Sequence, residues 1–320
     1  MTSVATRITA FAPGSIGNLG VGLDILGAAV EGPGDEVTVE WSDAPGIVVA
    51  DPGLPALPVD PDRHASAIAV RETLRLARSH DALAVKPDAG VRIRVRKGLP
   101  LAAGQGGSAA SAVAAALAMN ALLGRPLDRV ALLGACLVAE TTVAGRHLDN
   151  VAPSMLGGIV LVRGLDPIDV ASLPIPPRLR AVLAHPAQSL RTAEARAALP
   201  SHVDRETALH QAACVAALVA ALYERDMAAL GRAIDDRIAE PARAALIPGF
   251  REAKADALDA GAFGASISGA GPTVFALADG DEHGGQVAAA LQRGFARAGV
   301  ECAVRVADFD RRGARVVEGA

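Results

Sequence analysis

The sequence is poor in the residues that build disulfide frameworks and metal clusters. Its 320 residues include only 3 cysteines, and Cys136, Cys214 and Cys302 stand far apart. An odd number of widely spaced cysteines matches neither a disulfide-rich secreted domain nor a zinc-binding spacing. We therefore expect a protein of a reducing compartment, the cytoplasm.

Positive charge and long apolar runs are also lacking. The 31 lysines and arginines are outnumbered by 35 aspartates and glutamates, which gives a net charge of -4 and no indication of a nucleic acid or acidic membrane partner. The alanine-rich run 109–123 is shorter than the roughly 20 residues of a spanning helix. The first residues lack the order of a signal peptide. We expect no nucleic acid and no membrane partner.

What the chain has is the composition of a globular protein. Hydrophobic residues make up 51% and charged residues 21%, and 320 residues suit two domains with sizeable cores. Gly157-Gly158 precedes a predicted strand, Ile159 to Arg163. We place a domain boundary there, which divides residues 1–158 from residues 159–320.

The most informative stretch is a glycine-rich loop between a strand and a helix. Residues 91–95 alternate apolar and charged side chains, as a half-buried strand does, and residues 109–123 are apolar enough for a buried helix. Gly104, Gly106 and Gly107 lie between them and allow the backbone to approach a ligand closely. The N–H groups of the first helical turn then face the loop, which predicts an anion site, most often one for phosphate.

Three interpretations of this loop can be compared on the residues alone. A P-loop requires Gly-Lys-Ser/Thr at its end, and this loop ends in Gly107-Ser108. Gly104-x-Gly106-x-x-Ala109 fits the loose dinucleotide fingerprint, but that fingerprint needs a strand after the helix, and residues 127–140 again look helical. A plain structural turn is the third interpretation. The dinucleotide site and the plain turn stay open.

Two other segments are unusually polar for so apolar a chain. Residues 14–27 combine five glycines with Asn18 and Asp24, which fits either turn chemistry or a polar ligand site. Further on, Glu140 leaves a predicted helix just before Arg-His-x-Asp-Asn at 146–150. A carboxylate at such a place suits Mg²⁺ beside a phosphate.

The second half predicts a mixed α and β domain. Its order of strand, helix, strand, strand, helix and strand suggests a ferredoxin-like layer. The two middle strands, Phe263–Ser268 and Thr273–Ala278, are joined by Gly269-Ala270-Gly271-Pro272. This glycine turn is either a simple hairpin or a second backbone loop that closes over a ligand.

Taken together, these stretches resemble the small-molecule kinases of the GHMP superfamily. The loop 100–110 resembles the family's Pro-x-x-x-Gly-Leu-Gly-Ser-Ser-Ala phosphate loop, and residues 268–273 resemble its C-terminal glycine motif. Segments 18–24, 147–153, 192–196 and 240–250 are most similar to the homoserine kinase branch. The resemblance implies an α+β, two-domain fold with an N-terminal ribosomal-S5-like domain and a C-terminal ferredoxin-like domain. It also implies ATP, Mg²⁺ and phosphorylation of the L-homoserine hydroxyl in threonine biosynthesis, and it leaves a homodimer open.

The resemblance also assigns roles to residues on the nucleotide side. The backbone from Pro100 to Ala110 would wrap the phosphates, and Ser108 with Glu140 would hold Mg²⁺. His64 stands where the family commonly has an Asn near the adenine. The implied nucleotide-binding residues are His64, Pro100, Leu101, Ala102, Ala103, Gly104, Gln105, Gly106, Gly107, Ser108, Ala109 and Ala110, with Ser268, Gly269 and Gly271 in the C-terminal glycine turn.

On the substrate side, homoserine presents an ammonium, a carboxylate and a hydroxyl. Asp24 suits the ammonium, with Asn18 beside it, because a carboxylate attracts a cation. Arg196 and Arg243 suit the carboxylate, which a guanidinium binds at two points. His147 would line the same pocket.

Three departures from the family pattern bear on catalysis. The family usually has Leu at position 105 and two serines at 107 and 108, where this chain has Gln105 and Gly107-Ser108. Asn150 stands where some relatives have an aspartate that takes the hydroxyl proton, and an amide cannot act as a general base near neutral pH. We expect Asn150 and Glu140 to act by positioning and charge stabilisation. The altered loop also keeps open a relative that binds nucleotide without transferring phosphate.

Overall fold

The computed structural model describes residues 6–79 and 90–319. Within these ranges the strands are β1 Arg7–Gly17, β2 Leu26–Ser42, β3 Ile47–Asp51, β4 Gly90–Arg96, β5 Ile159–Leu165, β6 Ile168–Leu173, β7 Leu179–Pro186, β8 Gly264–Ile267, β9 Val274–Asp279, β10 Cys302–Ala307 and β11 Arg315–Gly319. The helices are α1 Ala65–Ser79, α2 Gly107–Leu122, α3 Arg129–Val143, α4 Val151–Leu156, α5 Thr192–Ala197, α6 Arg205–Glu224, α7 Met227–Ala233, α8 Ala239–Arg243, α9 Phe250–Asp259 and α10 Gly280–Arg297, with a 3-10 turn at Ala244–Leu246.

The first sheet has the order β11-β1-β2-β4-β3, and β5 and β6 extend it from β2. Helices α1 to α4 enclose its main core, which also takes side chains from β1, β2 and β4. Helix α2 lies inside this core and is built of alanine and other small or apolar residues, with Ala114, Ala115 and Ala116 fully buried. Alanine combines the highest helix propensity with a side chain small enough for neighbours on every side.

The second sheet is antiparallel, with strand order β10-β7-β9-β8. In the order of the chain this is the 4-1-3-2 arrangement of a ferredoxin-like layer, as the sequence predicted. Helices α9 and α10 pack on one face. The other face joins β1, β2 and β5 through a shared apolar core that includes Ile16, Leu26 and Phe275. This shared core packs the first sheet against that face of the second sheet.

The first sheet continues past the predicted boundary after residue 158. Strands β5 and β6 pair with it, and β11, which the sequence patterns did not predict, returns from the C-terminal end to pair with β1. The division into residues 1–158 and 159–320 therefore stays a prediction. The two-domain α+β fold itself is confirmed.

Among the described residues, helix α6 alone is long and apolar enough by composition to cross a membrane. In an apolar 18-residue stretch of this helix, 28% of the residues are buried inside the protein. Length and composition of a single helix are weak support for a membrane span, because packed helices of other proteins share them.

Candidate active site

The glycine-rich loop ends at Gly106, which caps the N-terminus of α2 in the left-handed conformation at φ 67°. Gly104 is left-handed too, at φ 72°. An added Cβ would lie 2.1 Å from the Ser15 hydroxyl at Gly106 and 2.5 Å from the Ser268 carbonyl oxygen at Gly104. Both glycines are therefore required by backbone conformation and by packing, and they bring the start of α2 to the wall of a cavity.

The carbonyl groups of this loop are bound by donors behind it. Leu190 donates its N–H to the Ala102 oxygen at 3.1 Å, and Thr273 donates to the Ala103 oxygen at 3.2 Å. The Ser268 hydroxyl donates to the Gly104 oxygen at 2.6 Å. The first N–H groups of a helix have no acceptor within the helix. The loop therefore has its carbonyls occupied while helical N–H groups remain for an anion.

A buried ion pair supports the entry to the loop, and the sequence interpretation missed it. Lys97 and Asp35 form a salt bridge with side chains 3% and 0% exposed. Lys97 also donates to the Gly107 oxygen at 2.8 Å, and Asp35 accepts from the N–H of Gly98 at 3.1 Å. Lys97 lines the cavity as well, where the Asp35 carboxylate balances its charge.

One cavity of about 440 Å³ gathers most of the predicted site residues. Those that line it are Asn18, Asp24, His64, Pro100, Leu101, Ala102, Ala103, Gly104, Gly106, Gly107, Ser108, Glu140, His147, Asn150, Arg196, Arg243 and Gly269. Five others lie outside its wall. Ala109 and Ala110 are buried in the core, Ser268 bonds the back of the loop, Gly271 packs against Ile247, and the Gln105 side chain turns to Thr273.

The two residues predicted to hold Mg²⁺ are neighbours in the structure. Ser108 Oγ donates to Glu140 Oε2 at 3.1 Å. Glu140 is buried at 3% exposure and forms no ion pair among the described residues. Burial raises the pKa of Glu140 to about 7. A buried carboxylate that forms no ion pair among the described residues, beside a hydroxyl oxygen, fits a hard divalent cation.

Asp149, which we did not predict as a site residue, organises three of its neighbours. Its Oδ1 lies 2.8 Å from His147 Nδ1, and its Oδ2 accepts from Asn150 Nδ2 and from the Asn18 N–H, both at 3.1 Å. The amide oxygen of Asn150, Oδ1, accepts from the Ser15 hydroxyl at 2.9 Å. Both ends of the Asn150 side chain are thus fixed. The polar run 146–150 was the available signal for Asp149.

The environment of His147 favours its charged form. Burial lowers the pKa of His147, but the hydrogen bond and charge of Asp149, with the charges of Glu140 and Asp24, raise it overall. Its Nε2 is buried without a hydrogen-bond partner. His64, by contrast, has a pKa lowered mainly by burial. His64 therefore presents a neutral ring to the cavity.

Charged groups from both halves of the chain also line the cavity. Asp24 and Arg196 form a two-point ion pair at 2.8 and 3.2 Å. Arg243 is buried at 3% exposure, and donates to the backbone oxygens of Ala195 at 3.1 Å and Gly269 at 2.9 Å. Among the described residues Arg243 forms no ion pair, so its charge is available to an anionic ligand.

Asn18 lines the cavity, and its side chain also holds two neighbouring segments of the chain together. Its side chain donates to the Gly269 oxygen at 3.0 Å and accepts from the Asp24 N–H at 3.1 Å. It adopts the left-handed conformation at φ 65°, which asparagine tolerates better than most residues. Asn18 therefore ties the bend of residues 18–24 to the C-terminal glycine turn.

The topology around the loop does not support the dinucleotide interpretation. That fingerprint belongs to a strand, helix and parallel strand in sequence. In this structure α2 is followed by α3, and β4 pairs antiparallel with β2. The Gly104–Ala109 match is therefore a coincidence of glycine spacing.

Comparison with known proteins agrees with the geometry. The family described as GHMP kinases N terminal domain matches residues 67–158, and the family described as GHMP kinases C terminal matches residues 218–297. Homoserine kinase of Chloroherpeton thalassium is 39% identical over 97% of this chain and 99% of its own. Homoserine kinase of Arabidopsis thaliana is 38% identical over 98% of this chain and 85% of its own.

The crystal structure of homoserine kinase from Cytophaga hutchinsonii superimposes with a TM-score of 0.91 at 38% identity, over 99% of both chains. The similarity to this structure therefore extends over nearly the whole chain. With the glycine-rich loop, the Glu140 carboxylate beside the Ser108 hydroxyl and a group of charged side chains in one cavity, the chain belongs to the homoserine kinase family of the GHMP kinases.

Proposed function

We propose that this protein transfers the γ-phosphoryl group of ATP to the side-chain hydroxyl of L-homoserine, which yields O-phospho-L-homoserine and ADP. The observation that carries the proposal is one cavity lined both by the glycine-rich loop and by Arg243, a buried cation that forms no ion pair among the described residues. The names of the relatives support the same substrate.

The charged side chains of Asp24, Arg196 and Arg243 suit an amino acid substrate. Arg243 takes the carboxylate, with Arg196 beside it, and Asp24 takes the ammonium. Asp24 and Arg196 already bind each other. An amino acid can replace this ion pair, because its ammonium can bind Asp24 and its carboxylate can bind Arg196. A substrate with no charged groups would have to leave Arg243 without a counterion, and burying an unpaired charge is costly.

The hydroxyl of a substrate held this way points toward Asn150. A Cβ added at Gly106 of the phosphate loop would be only 3.1 Å from Asn150 Oδ1, so this amide borders the loop directly. Its donors and acceptors are fixed by Ser15 and Asp149, and an amide does not titrate near neutral pH. Asn150 therefore orients the hydroxyl, and the proton passes late to the phosphate or to solvent, because a loose transition state needs little base assistance.

Glu140 and Ser108 would hold Mg²⁺. A divalent ion at this place offsets charge on the β- and γ-phosphates. The buried carboxylate, which forms no ion pair among the described residues, and the Ser108 hydroxyl beside it fit that role. The helix N-terminus at Gly107 adds positive potential for the same phosphates.

The decisive experiment measures ADP release from MgATP with and without L-homoserine, and identifies the product by mass. Homoserine-dependent release with a product heavier by one phosphate supports the proposal. Binding of ATP without any release would identify a non-catalytic relative, and mevalonate or galactose as the better acceptor would contradict the substrate. Because His64 replaces the usual Asn, GTP and CTP belong in the same assay as alternative donors.

Other expectations follow from the same proposal. We propose a cytoplasmic enzyme of threonine biosynthesis without nucleic acid or membrane partners, and a homodimer as its assembly. Sedimentation of the purified protein and its distribution between cytosolic and membrane fractions test the assembly and the location.

A further inference from the structure

The Gln105 side chain of the glycine-rich loop reaches Thr273, the residue directly before β9 of the second sheet. It is 7% exposed, and its Nε2 donates to the Thr273 hydroxyl at 3.3 Å. Its backbone oxygen accepts from the N–H of Ser15 on β1 at 3.1 Å. Gln105 therefore links the first sheet, the loop and the second sheet at a single residue, between the left-handed Gly104 and Gly106.

The Thr273 hydroxyl also contacts His185 of β7. Thr273 is fully buried, and its Oγ lies 3.1 Å from His185 Nδ1. The Gln105 NH₂ group can only donate, so the Thr273 oxygen accepts there. The single hydroxyl proton is then free for His185 Nδ1, which accepts it as a neutral imidazole. Burial lowers the pKa of His185, which favours that neutral form.

We propose that Gln105, Thr273 and His185 form a hydrogen-bonded relay that positions the phosphate loop, so that ATP affinity depends on side chains that do not touch the nucleotide. None of the three lines the active cavity, and His185 lines a separate one. Their effect reaches the ligand only through the backbone of residues 104–106. They are positioning residues. The inference rests on the proposed function only in taking ATP as the ligand of the loop.

The backbone contacts of the loop show why a side-chain anchor matters at this place. Ala102, Ala103 and Gly104 are each held by one hydrogen bond to a donor of the second half. Helix α2 begins three residues later, at Gly107, and its first N–H groups must stay open for phosphate. The Gln105 side chain is thus the last hydrogen bond between loop and second sheet before the anion site. Preorganised donors bind an anion more tightly than donors that must first be ordered.

The experiment measures ATP binding by titration calorimetry, with MgATP alone and no homoserine. Gln105→Leu removes the amide at nearly equal volume, and Thr273→Val removes the hydroxyl. Each should raise the dissociation constant for ATP by about two- to tenfold, the size of one neutral hydrogen bond. Thr273→Ser keeps the hydroxyl and should bind ATP as the parent does. In steady state the KM for ATP should rise while the KM for homoserine stays within about twofold.

Combined variants distinguish a relay from independent contacts. In a double-mutant cycle, Gln105→Leu with Thr273→Val should cost no more than the larger single change. His185→Phe should weaken ATP binding in the parent and have no effect in the Gln105→Leu background. Additive losses, or ATP affinity unchanged in a folded Gln105→Leu protein, would overturn the relay. If Thr273→Val does not fold, the Gln105 and His185 pair decides alone.

The outcome stays separate from that of the proposed function. Failure of the parent to phosphorylate homoserine would contradict the substrate while calorimetry still tests the relay. If the parent phosphorylates homoserine but substitution of each of the three side chains leaves the ATP affinity unchanged, only the relay is contradicted.

Discussion

The guanidinium of Arg196 holds the carboxylate of Asp24 through two hydrogen bonds, at 2.8 and 3.2 Å. Asp24 follows β1 in the first half of the chain, and Arg196 lies in α5 of the second. The two groups proposed for opposite charges of one substrate therefore neutralise each other in its absence. An amino acid that brings both an ammonium and a carboxylate can insert between them without leaving either charge alone.

This relationship predicts that the pair matters more for substrate binding than for stability. The side chains are 32% and 37% exposed, and ion pairs of such exposure contribute about 0–1 kcal/mol. Arg196→Ala should shift the melting temperature little but raise the KM for homoserine by about ten- to a hundredfold. Asp24→Asn should raise it similarly and reduce the preference for homoserine over an analogue without the amino group. A parental KM in either variant would remove that residue from the binding site.

Among the described residues Arg243 has no ion pair to give up, so we expect it to bind the carboxylate at least as strongly as Arg196. Arg243→Ala should raise the KM for homoserine by about ten- to a hundredfold, the size of a charged hydrogen bond, with the KM for ATP unchanged. Arg251→Ala, on the exposed face of α9, is a matched control. Parental affinity for homoserine in Arg243→Ala would contradict the substrate assignment. A loss shared equally by ATP would instead indicate collapse of the Gly269 turn.

Glu140 makes stability depend on pH. Its pKa of about 7 in the folded protein lies above the value of 4.5 for an unperturbed glutamate, chiefly because of burial. Between these values the folded state binds more protons than the unfolded state, so the free energy of unfolding should fall as the pH rises from about 4.5 to 7. Glu140→Gln should flatten this slope, measured by chemical denaturation without ligands. Glu206→Gln, on the exposed surface of α6, should not.

The same carboxylate should also set the need for metal. Because the charged form binds Mg²⁺, the apparent Mg²⁺ requirement of turnover should increase as the pH falls below 7. Glu140→Gln should raise that requirement by about ten- to a hundredfold at pH 8. If Mg²⁺ dependence is parental in Glu140→Gln, the ion is held elsewhere.

Gly106 should tolerate no side chain. It is left-handed, and a Cβ would lie 2.1 Å from the Ser15 hydroxyl and 3.1 Å from Asn150 Oδ1. Gly106→Val should abolish ATP binding, and Gly106→Ala should weaken it at least tenfold by a rough estimate of left-handed strain and crowding. Gly285→Ala on α10, where an added Cβ meets nothing within 4 Å, is the control. ATP affinity retained in a folded Gly106→Val protein would contradict the close approach.

Asp149 should act through His147. Asp149→Asn keeps the shape but removes the charge that raises the pKa of His147. We expect a lower His147 pKa by NMR titration and a raised KM for homoserine, with ATP binding unaffected. An unchanged His147 titration in Asp149→Asn would show that Glu140 and Asp24 suffice to raise it.

Much of this protein was determined by sequence alone. Alternation and glycine placement predicted the loop and helix α2, because these depend on neighbours a few residues apart, and the succession of strands and helices predicted the ferredoxin-like layer. The ordered motifs implied the family, and most of the site residues they pointed to line one cavity.

Only the tertiary structure decided which of these residues bind each other. The pairing of Asp24 with Arg196, the buried Lys97 and Asp35, the network of Asp149 and the turn of Gln105 away from the cavity each join distant parts of the chain. No local pattern reports such contacts, since a side chain's partner depends on how whole sheets and helices pack. For the same reason β11 could not be predicted as part of the first sheet, because its pairing partner β1 is at the opposite end of the chain.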